Sequence, residues 1–179
     1  MEELLNQEQV QRALDDLYQA VASHLPAKAP LAIIGIRTRG EIIAQRLGAR
    51  LAERFGGQID HGVLDITFYR DDLARRKGAP LVRATEIDFD LDDKLVLLVD
   101  DVLHTGRSVR AAIAAIMDFG RPRAIRLAVL IDRGGRELPI AADFVGRRLD
   151  VPDALRVQVN LTEADGKDAV FLIKGKRSS

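Results

Sequence analysis

The chain has 179 residues, 47% hydrophobic and 30% charged, with 27 basic side chains against 27 acidic ones. That length suits one domain with a sizeable core, and a formal net charge of zero gives no bulk attraction to a polyanion. The absence of cysteine excludes disulfide frameworks and thiolate metal sites, and no signal-peptide pattern or membrane-length apolar run occurs, so a cytoplasmic protein with no membrane partner is expected.

Val10, Leu14, Leu17 and Val21 recur on one face and predict a helix over residues 7–24, with Pro26 and Pro30 marking its exit. Leu31 to Ile36 reads as a buried strand. The loop from Arg37 to Gly40 then opens a helix that runs through Phe55 and stops at Gly56-Gly57. Val63 to Phe68 is the next predicted strand. From Tyr69 to Thr85 the chain is charged and weakly periodic, as a mobile arm would be. Leu95 to Val99 is an apolar run of the kind that forms a central strand of a parallel sheet, buried on both faces. The helix that follows is expected to bury Val109, Ala112, Ile113 and Ile116 and to end at Gly120, before Pro122. Ala124 to Ile131 is a further strand, followed by an irregular Gly134-Gly135 loop. Two short strands, Arg156 to Leu161 and Ala169 to Ile173, close the chain. Strands alternating with helices through short connections predict a parallel α/β sheet, and no repeat or linker divides the chain.

Chemistry concentrates between Val96 and Ser108. The apolar run ends in two adjacent carboxylates, Asp100 and Asp101, and a Thr-Gly-Arg-Ser loop opens the next helix. In open α/β sheets ligands bind beyond the carboxyl ends of the strands, which puts both acids at a ligand edge. Thr105 to Ser108 supplies a small phosphate cradle. Gly106 lets the backbone approach, two hydroxyls donate, and the helix N-terminus favours an anion. Acids beside such a cup suit a phosphorylated sugar. A phosphorelay receiver also carries paired aspartates after a strand, but near the start of its domain, whereas these lie past the midpoint. A P-loop needs Gly-Lys-Ser/Thr after a strand, and none occurs here. The plain alternative is a solvated acidic turn with Thr105 as a helix cap.

Elsewhere, Gly35 to Gly40 is a strand-to-helix turn carrying Arg37 and Arg39, which reads either as an exposed turn or as a phosphate contact. Residues 1–30 are acidic. The segment from Arg121 to Arg148 is arginine-rich, which fits phosphate contact or simply a solvated face. The histidines show no metal-ligand spacing. His61 reads as surface and His104 as a loop residue rather than a catalytic base.

The series of strand, acid pair, Thr-Gly-Arg-Ser and helix resembles the PRPP-binding signature of the type I phosphoribosyltransferases. Gly35-Ile36-Arg37-Thr38-Arg39-Gly40, Thr67-Phe68-Tyr69-Arg70-Asp71-Asp72-Leu73 and Ile131-Asp132-Arg133-Gly134-Gly135-Arg136-Glu137-Leu138-Pro139-Ile140 occur in the right order and at similar spacing. Together they resemble the bifunctional pyrimidine operon regulator/uracil phosphoribosyltransferase family over essentially the whole chain. The resemblance implies an α/β, single-domain type I phosphoribosyltransferase fold over residues 1–179. Its central, mostly parallel sheet is flanked by helices and carries a small hood and a flexible arm.

The implied reaction is uracil plus PRPP giving UMP and diphosphate, with Mg²⁺ arriving with PRPP and no metal site made by protein alone. Asp100, Asp101 and Arg39 are the implied catalytic residues. Implied PRPP or nucleotide contacts are Thr38, Arg39, Arg70, Arg76, Asp100, Asp101, Val102, Leu103, His104, Thr105, Gly106, Arg107 and Ser108. Arg133 and Val157 are implied at the base. The resemblance also implies a homo-oligomer and UMP-dependent binding of pyrimidine-operon mRNA, leading to transcription attenuation, with Arg136 and Arg147 as RNA candidates. The chain departs from the family pattern at several positions. Gly135 stands where histidine is common, His104 where tyrosine is frequent and Ala141 where arginine is frequent, while Asp15 and Asp16 put carboxylates on the first helix. Carboxylates facing RNA oppose phosphate binding, so retained enzyme activity with weak or re-routed RNA binding is expected. The alternatives are an RNA-binding regulator with residual activity, or a phosphoribosyltransferase for another base.

Overall fold

In this computed structural model, which describes residues 1–26, 29–57, 59–70 and 84–174, the long apolar runs form the middle of a sheet. Strands β2 (Leu31–Ile36), β4 (Leu95–Leu103) and β5 (Ala124–Asp132) lie side by side. With β3 (Asp60–Leu64) and β6 (Phe144–Arg148) at the edges, the order is β3-β2-β4-β5-β6 and every pairing is parallel. Successive side chains on a strand face opposite sides. Ile33, Leu97 and Leu130 therefore join one apolar layer, and Ile34, Leu98 and Val129 the other.

Helix α1 (Gln7–His24) covers the first layer with Val10, Leu14, Leu17 and Val21, and α2 (Arg39–Phe55) adds Ile43, Leu47 and Leu51. Helix α3 (Arg107–Met117) covers the second with Val109, Ala112 and Ile116. All these helix residues are at most 3% exposed. At about 1.5–3 kcal/mol for each large side chain fully buried, the two layers dominate the fold's stability. A capping box fixes the start of α1: Asn6 Oδ1 accepts from Gln9 N at 3.0 Å, and Gln9 Oε1 accepts from Asn6 N at 2.9 Å.

A second, antiparallel sheet combines the two ends of the chain. Strand β1 (Glu2–Leu5) pairs with β8 (Ala169–Lys174), which pairs with β7 (Leu155–Asn160), and the short helix α4 (Thr162–Asp165) joins β7 to β8. This is the expected hood. Leu5, Val159, Leu161 and Val170 extend the first apolar layer into it.

Several sequence expectations need correction. The strand predicted over 63–68 instead spans Asp60–Leu64, and Thr67–Tyr69 forms a short 3-10 helix. The Asp65 carboxylate explains the shift: Oδ1 accepts from the Thr67 N–H at 2.8 Å and from its hydroxyl at 2.5 Å, drawing the backbone into a turn. Strand β4 does not stop at the acid pair. Pairing continues through Val102 with Ile131 and Leu103 with Asp132, so the carboxylates sit within the strand. Ile113 is only half-buried, and β1, β6 and α4 were not expected. Of the arm expected from Tyr69 to Thr85, residues 71–83, including Arg76, lie outside the described residues. Among the described residues no helix is long and apolar enough to cross a membrane.

Candidate active site

The carboxyl ends of β2, β4 and β5 meet the hood around a cavity of about 460 Å³ lined by Arg39, Asp101, His104, Arg133, Arg156 and Val157 among others. Beside it a smaller cup of about 250 Å³ is lined by Arg70, Thr105, Gly106, Ser108 and Arg156. Val102, His104 and Arg156 line both.

Asp100 is buried at 7% exposure and Asp101 is half-buried. Each carboxylate accepts from the next backbone N–H at 2.9 Å, Asp100 from Asp101 and Asp101 from Val102. Burial pushes the Asp100 carboxyl well above the usual carboxylate range. The neighbouring Asp101 charge pushes it further, while Arg70 pulls it down. Burial raises Asp101 as well, opposed in part by Arg39. Two adjacent carboxylates in such a place favour a cation. Among the described residues no group of three or more His, Asp or Glu side chains gathers to hold a metal. The donor set therefore fits Mg²⁺, which keeps waters and takes one or two carboxylates plus ligand phosphates.

The cup is made of backbone and hydroxyls. Gly106 adopts φ 90°, a conformation open to glycine, and Arg107 begins α3, so backbone N–H groups at the helix start face the site. The Thr105 hydroxyl accepts from Arg107 N at 3.3 Å. The Arg107 side chain reaches back to the loop after β5, where Nε donates to Glu137 at 2.6 Å. The loop after β5 supports the cup from behind: Glu137 N and Leu138 N both donate to Thr105 O at 3.0 Å.

Thr38 precedes α2 and is half-buried. Arg39 lines the larger cavity, yet its Nε and Nη2 donate to the two Asp165 oxygens at 3.1 and 2.7 Å, tying the start of α2 to α4. Arg133 is 2% exposed. Its guanidinium donates to Leu155 O at 2.6 Å and Val151 O at 3.0 Å, clamping the start of β7 while also walling the cavity. Burial pulls its pKa below the usual arginine value. Val157 faces the same cavity from β7.

The RNA candidates separate. Arg136 is turned inward, donating to Ile140 O at 2.9 Å and His104 O at 2.8 Å while pairing with Asp132 at 2.7 Å. Arg147 is exposed on β6. Asp15 is paired with Arg50 of α2 at 2.7 Å, and Asp16 is exposed. Sequence reasoning missed Arg156 and Asp165. Arg156 is adjacent to the expected Val157, and no local pattern marks Asp165.

A family model described as the phosphoribosyl transferase domain matches residues 1–159. The bifunctional protein PyrR of Deinococcus radiodurans is 48% identical over 169 residues, covering 94% of this chain and 92% of that protein. The bifunctional protein PyrR of a Roseiflexus species is 46% identical over 178 residues, covering 99% and 97%. A mutant hypoxanthine phosphoribosyltransferase of Trypanosoma cruzi, solved as a ternary substrates complex, has a TM-score of 0.71 at 17% identity over 97% of this chain and 95% of that one. That likeness shows a shared fold. By its matched domain and its close relatives, the chain belongs to the phosphoribosyltransferase domain family and, within it, to the bifunctional PyrR proteins.

Proposed function

We propose that this chain, working as a single cytoplasmic domain, transfers the phosphoribosyl group of PRPP to uracil, giving UMP and diphosphate. The observation that carries the reading is the adjoining pair of cavities: a backbone-built cup shares three lining residues with a larger cavity beside Asp100, which is buried, and Asp101, which is half-buried. In this reading Thr105, Gly106 and Ser108 hold the 5′-phosphate, and Asp100 and Asp101 hold the ribose hydroxyls. Arg39 receives the departing diphosphate, and Thr38 and Arg70 add phosphate contacts. Mg²⁺ held at Asp100 and Asp101 supplies charge neutralisation for the diphosphate when bound. Arg133 fixes the wall against which the base lies, and the Val157 segment offers backbone groups to its edge. Displacement at the ribose carbon develops positive charge, so catalysis here is positioning, electrostatics and exclusion of water.

A PRPP-dependent assay with uracil, hypoxanthine and guanine side by side tests the base. Uracil is the expected acceptor, and turnover of a purine without uracil overturns the assignment.

A second activity, UMP-dependent binding of pyrimidine-gene mRNA, is supported by the exposed Arg147 on β6. Arg136 already serves the loop that carries it, and Asp15 is neutralised by Arg50, which leaves Asp16 as the opposing charge on α1. We expect weak binding led by Arg147. Titration with the protein's own leader RNA at several salt concentrations, with and without UMP, checks this; tight binding abolished by Arg136→Ala but not by Arg147→Ala refutes it. Phe68, Met117 and Phe119 remain 66, 53 and 44% exposed, which favours a homo-oligomer that covers them, measurable by sedimentation.

A further inference from the structure

We infer that His104 accepts the proton that uracil N1 gives up as it attacks the ribose, an inference that rests on the uracil reading above. His104, Val102 and Arg156 are the residues common to the base-sized cavity and the phosphate cup. A nucleoside 5′-phosphate with its phosphate in the cup and its base against Arg133 and Val157 must cross this shared wall. The bond between base and ribose therefore forms beside it. Val102 has no group that exchanges a proton, and arginine stays protonated. Imidazole alone of the three takes up and releases a proton near neutral pH.

The loop after β5 makes room for the ring. A Cβ placed on Gly135, whose φ is 71°, would lie 2.9 Å from His104 Nε2 and 3.0 Å from Cδ2. A side chain there would displace the imidazole from the wall. Charged groups approach the ring from two segments, Arg133, Arg136 and Glu137 after β5 and Asp153 before β7. Burial, and next the Arg133 charge, hold the imidazole below its usual value, which favours the neutral ring that can accept a proton. A phosphate dianion in the adjoining cup acts in the opposite sense and favours the imidazolium. The ring thus becomes more basic once PRPP is in place.

The N1–H bond breaks, its proton passes to an imidazole nitrogen, and its electron pair forms the bond to the anomeric carbon. The bond from that carbon to the diphosphate oxygen breaks, and its electrons leave with diphosphate. Uracil is a weak acid, so a positioned acceptor at this point is worth about a hundredfold or more in rate. Asp101 also lines the cavity but is committed to the ribose and its cation.

The test compares wild type with His104→Gln, which keeps size and polarity without titrating, and with His104→Ala. Turnover is measured with uracil and with the more acidic 5-fluorouracil from about pH 5.5 to about pH 9, across the histidine range. Affinity for UMP is measured calorimetrically. His104→Gln is expected to lose about a hundredfold in kcat on uracil, to lose the acid limb of the pH profile, and to keep its UMP affinity. The loss on 5-fluorouracil should be smaller, and added imidazole should restore part of the His104→Ala activity. An unchanged pH profile with an unchanged ratio of 5-fluorouracil to uracil turnover overturns the inference. So does a fall in UMP affinity that matches the fall in kcat. Failure of wild type to use uracil at all overturns the underlying reading instead, so the two failures are distinguishable.

Discussion

The five-stranded sheet and the hood are held by different forces. Ile33, Ile34, Leu97, Leu98, Val129 and Leu130 at the centre of the sheet are fully buried, and apolar burial accounts for its cohesion. The hood contributes fewer apolar side chains and is fastened by arginines reaching from the sheet side. Arg46 of α2 bonds both oxygens of Asp168 at 2.7 and 3.0 Å and also pairs with Glu163, while Arg39 grips Asp165 and Arg133 grips carbonyls at and just before the start of β7. The wall proposed to hold the base is thus attached by charge, and the loop proposed to hold the phosphate by packing. Perturbing electrostatics should affect the two halves of the site unequally.

The largest effect should follow Asp100→Asn or Asp101→Asn. Both sit inside the best-packed strand, yet their burial as ions opposes folding. PRPP turnover is expected to fall by two orders of magnitude or more, as when an electrostatic contact to the transition state is removed, about 2.7–4 kcal/mol. Thermal melts should show no loss of stability, and a variant that melts early would mean that the acids support the sheet.

Arg46→Met addresses the other side of the comparison. It leaves Asp168, 8% exposed, without its cation, and should cost about 2–4 kcal/mol by urea denaturation. Hydrogen exchange should quicken in β8 before it does in β4; simultaneous quickening would merge the two regions into one cooperative unit. Hydrogen bonding to Arg46 holds Asp168 down to about 2 and Glu163 below its usual value. A depressed carboxyl stabilises the fold above the unfolded value of about 3.9 and loses that contribution as pH falls through the folded value. The stability gap between wild type and Arg46→Met should therefore close from about pH 4 toward about pH 2. Asp100 runs the other way, because its folded value is raised: its cost is absent in acid and grows with pH. Without divalent cations, Asp100→Asn should gain on wild type as pH rises.

The smallest change is Ser108→Ala in the cup. Loss of one hydrogen bond to a charged phosphate should weaken PRPP and UMP binding by about 1.5–3 kcal/mol, read by calorimetry. Unchanged affinity for both ligands would put the phosphate elsewhere.

The same contrast governs what the sequence reveals. Strands β2, β4 and β5 and helices α1 to α3 are legible because apolar periodicity is local. The acid pair and the cup are legible because they are contiguous from Asp100 to Ser108. Strand β6 is not legible because only Phe144 and Val145 are apolar before Gly146 and two arginines. Its backing is backbone: a Cβ at Gly146 would meet Ala13 O at 2.7 Å. By resemblance Arg136 is an RNA candidate. Its inward turn answers a demand invisible in the chain order, the uncapped carbonyls of His104 and Ile140. Asp165 finds Arg39 across 126 positions, and nothing in the residues around either announces the pairing. The resemblance implies the hood; the arginines that fasten it pair with residues too distant in the chain for any local pattern to mark.

The loop that braces the cup through Glu137 N and Leu138 N runs on directly into β6, where Arg147 is exposed. A ligand phosphate and any polyanion lying along that edge therefore share one short stretch of chain. Equilibrium linkage then imposes a symmetry: whatever factor UMP adds to polyanion affinity, the polyanion must return to UMP. A salt titration of UMP affinity, with and without RNA, would measure that coupling from the enzyme's side.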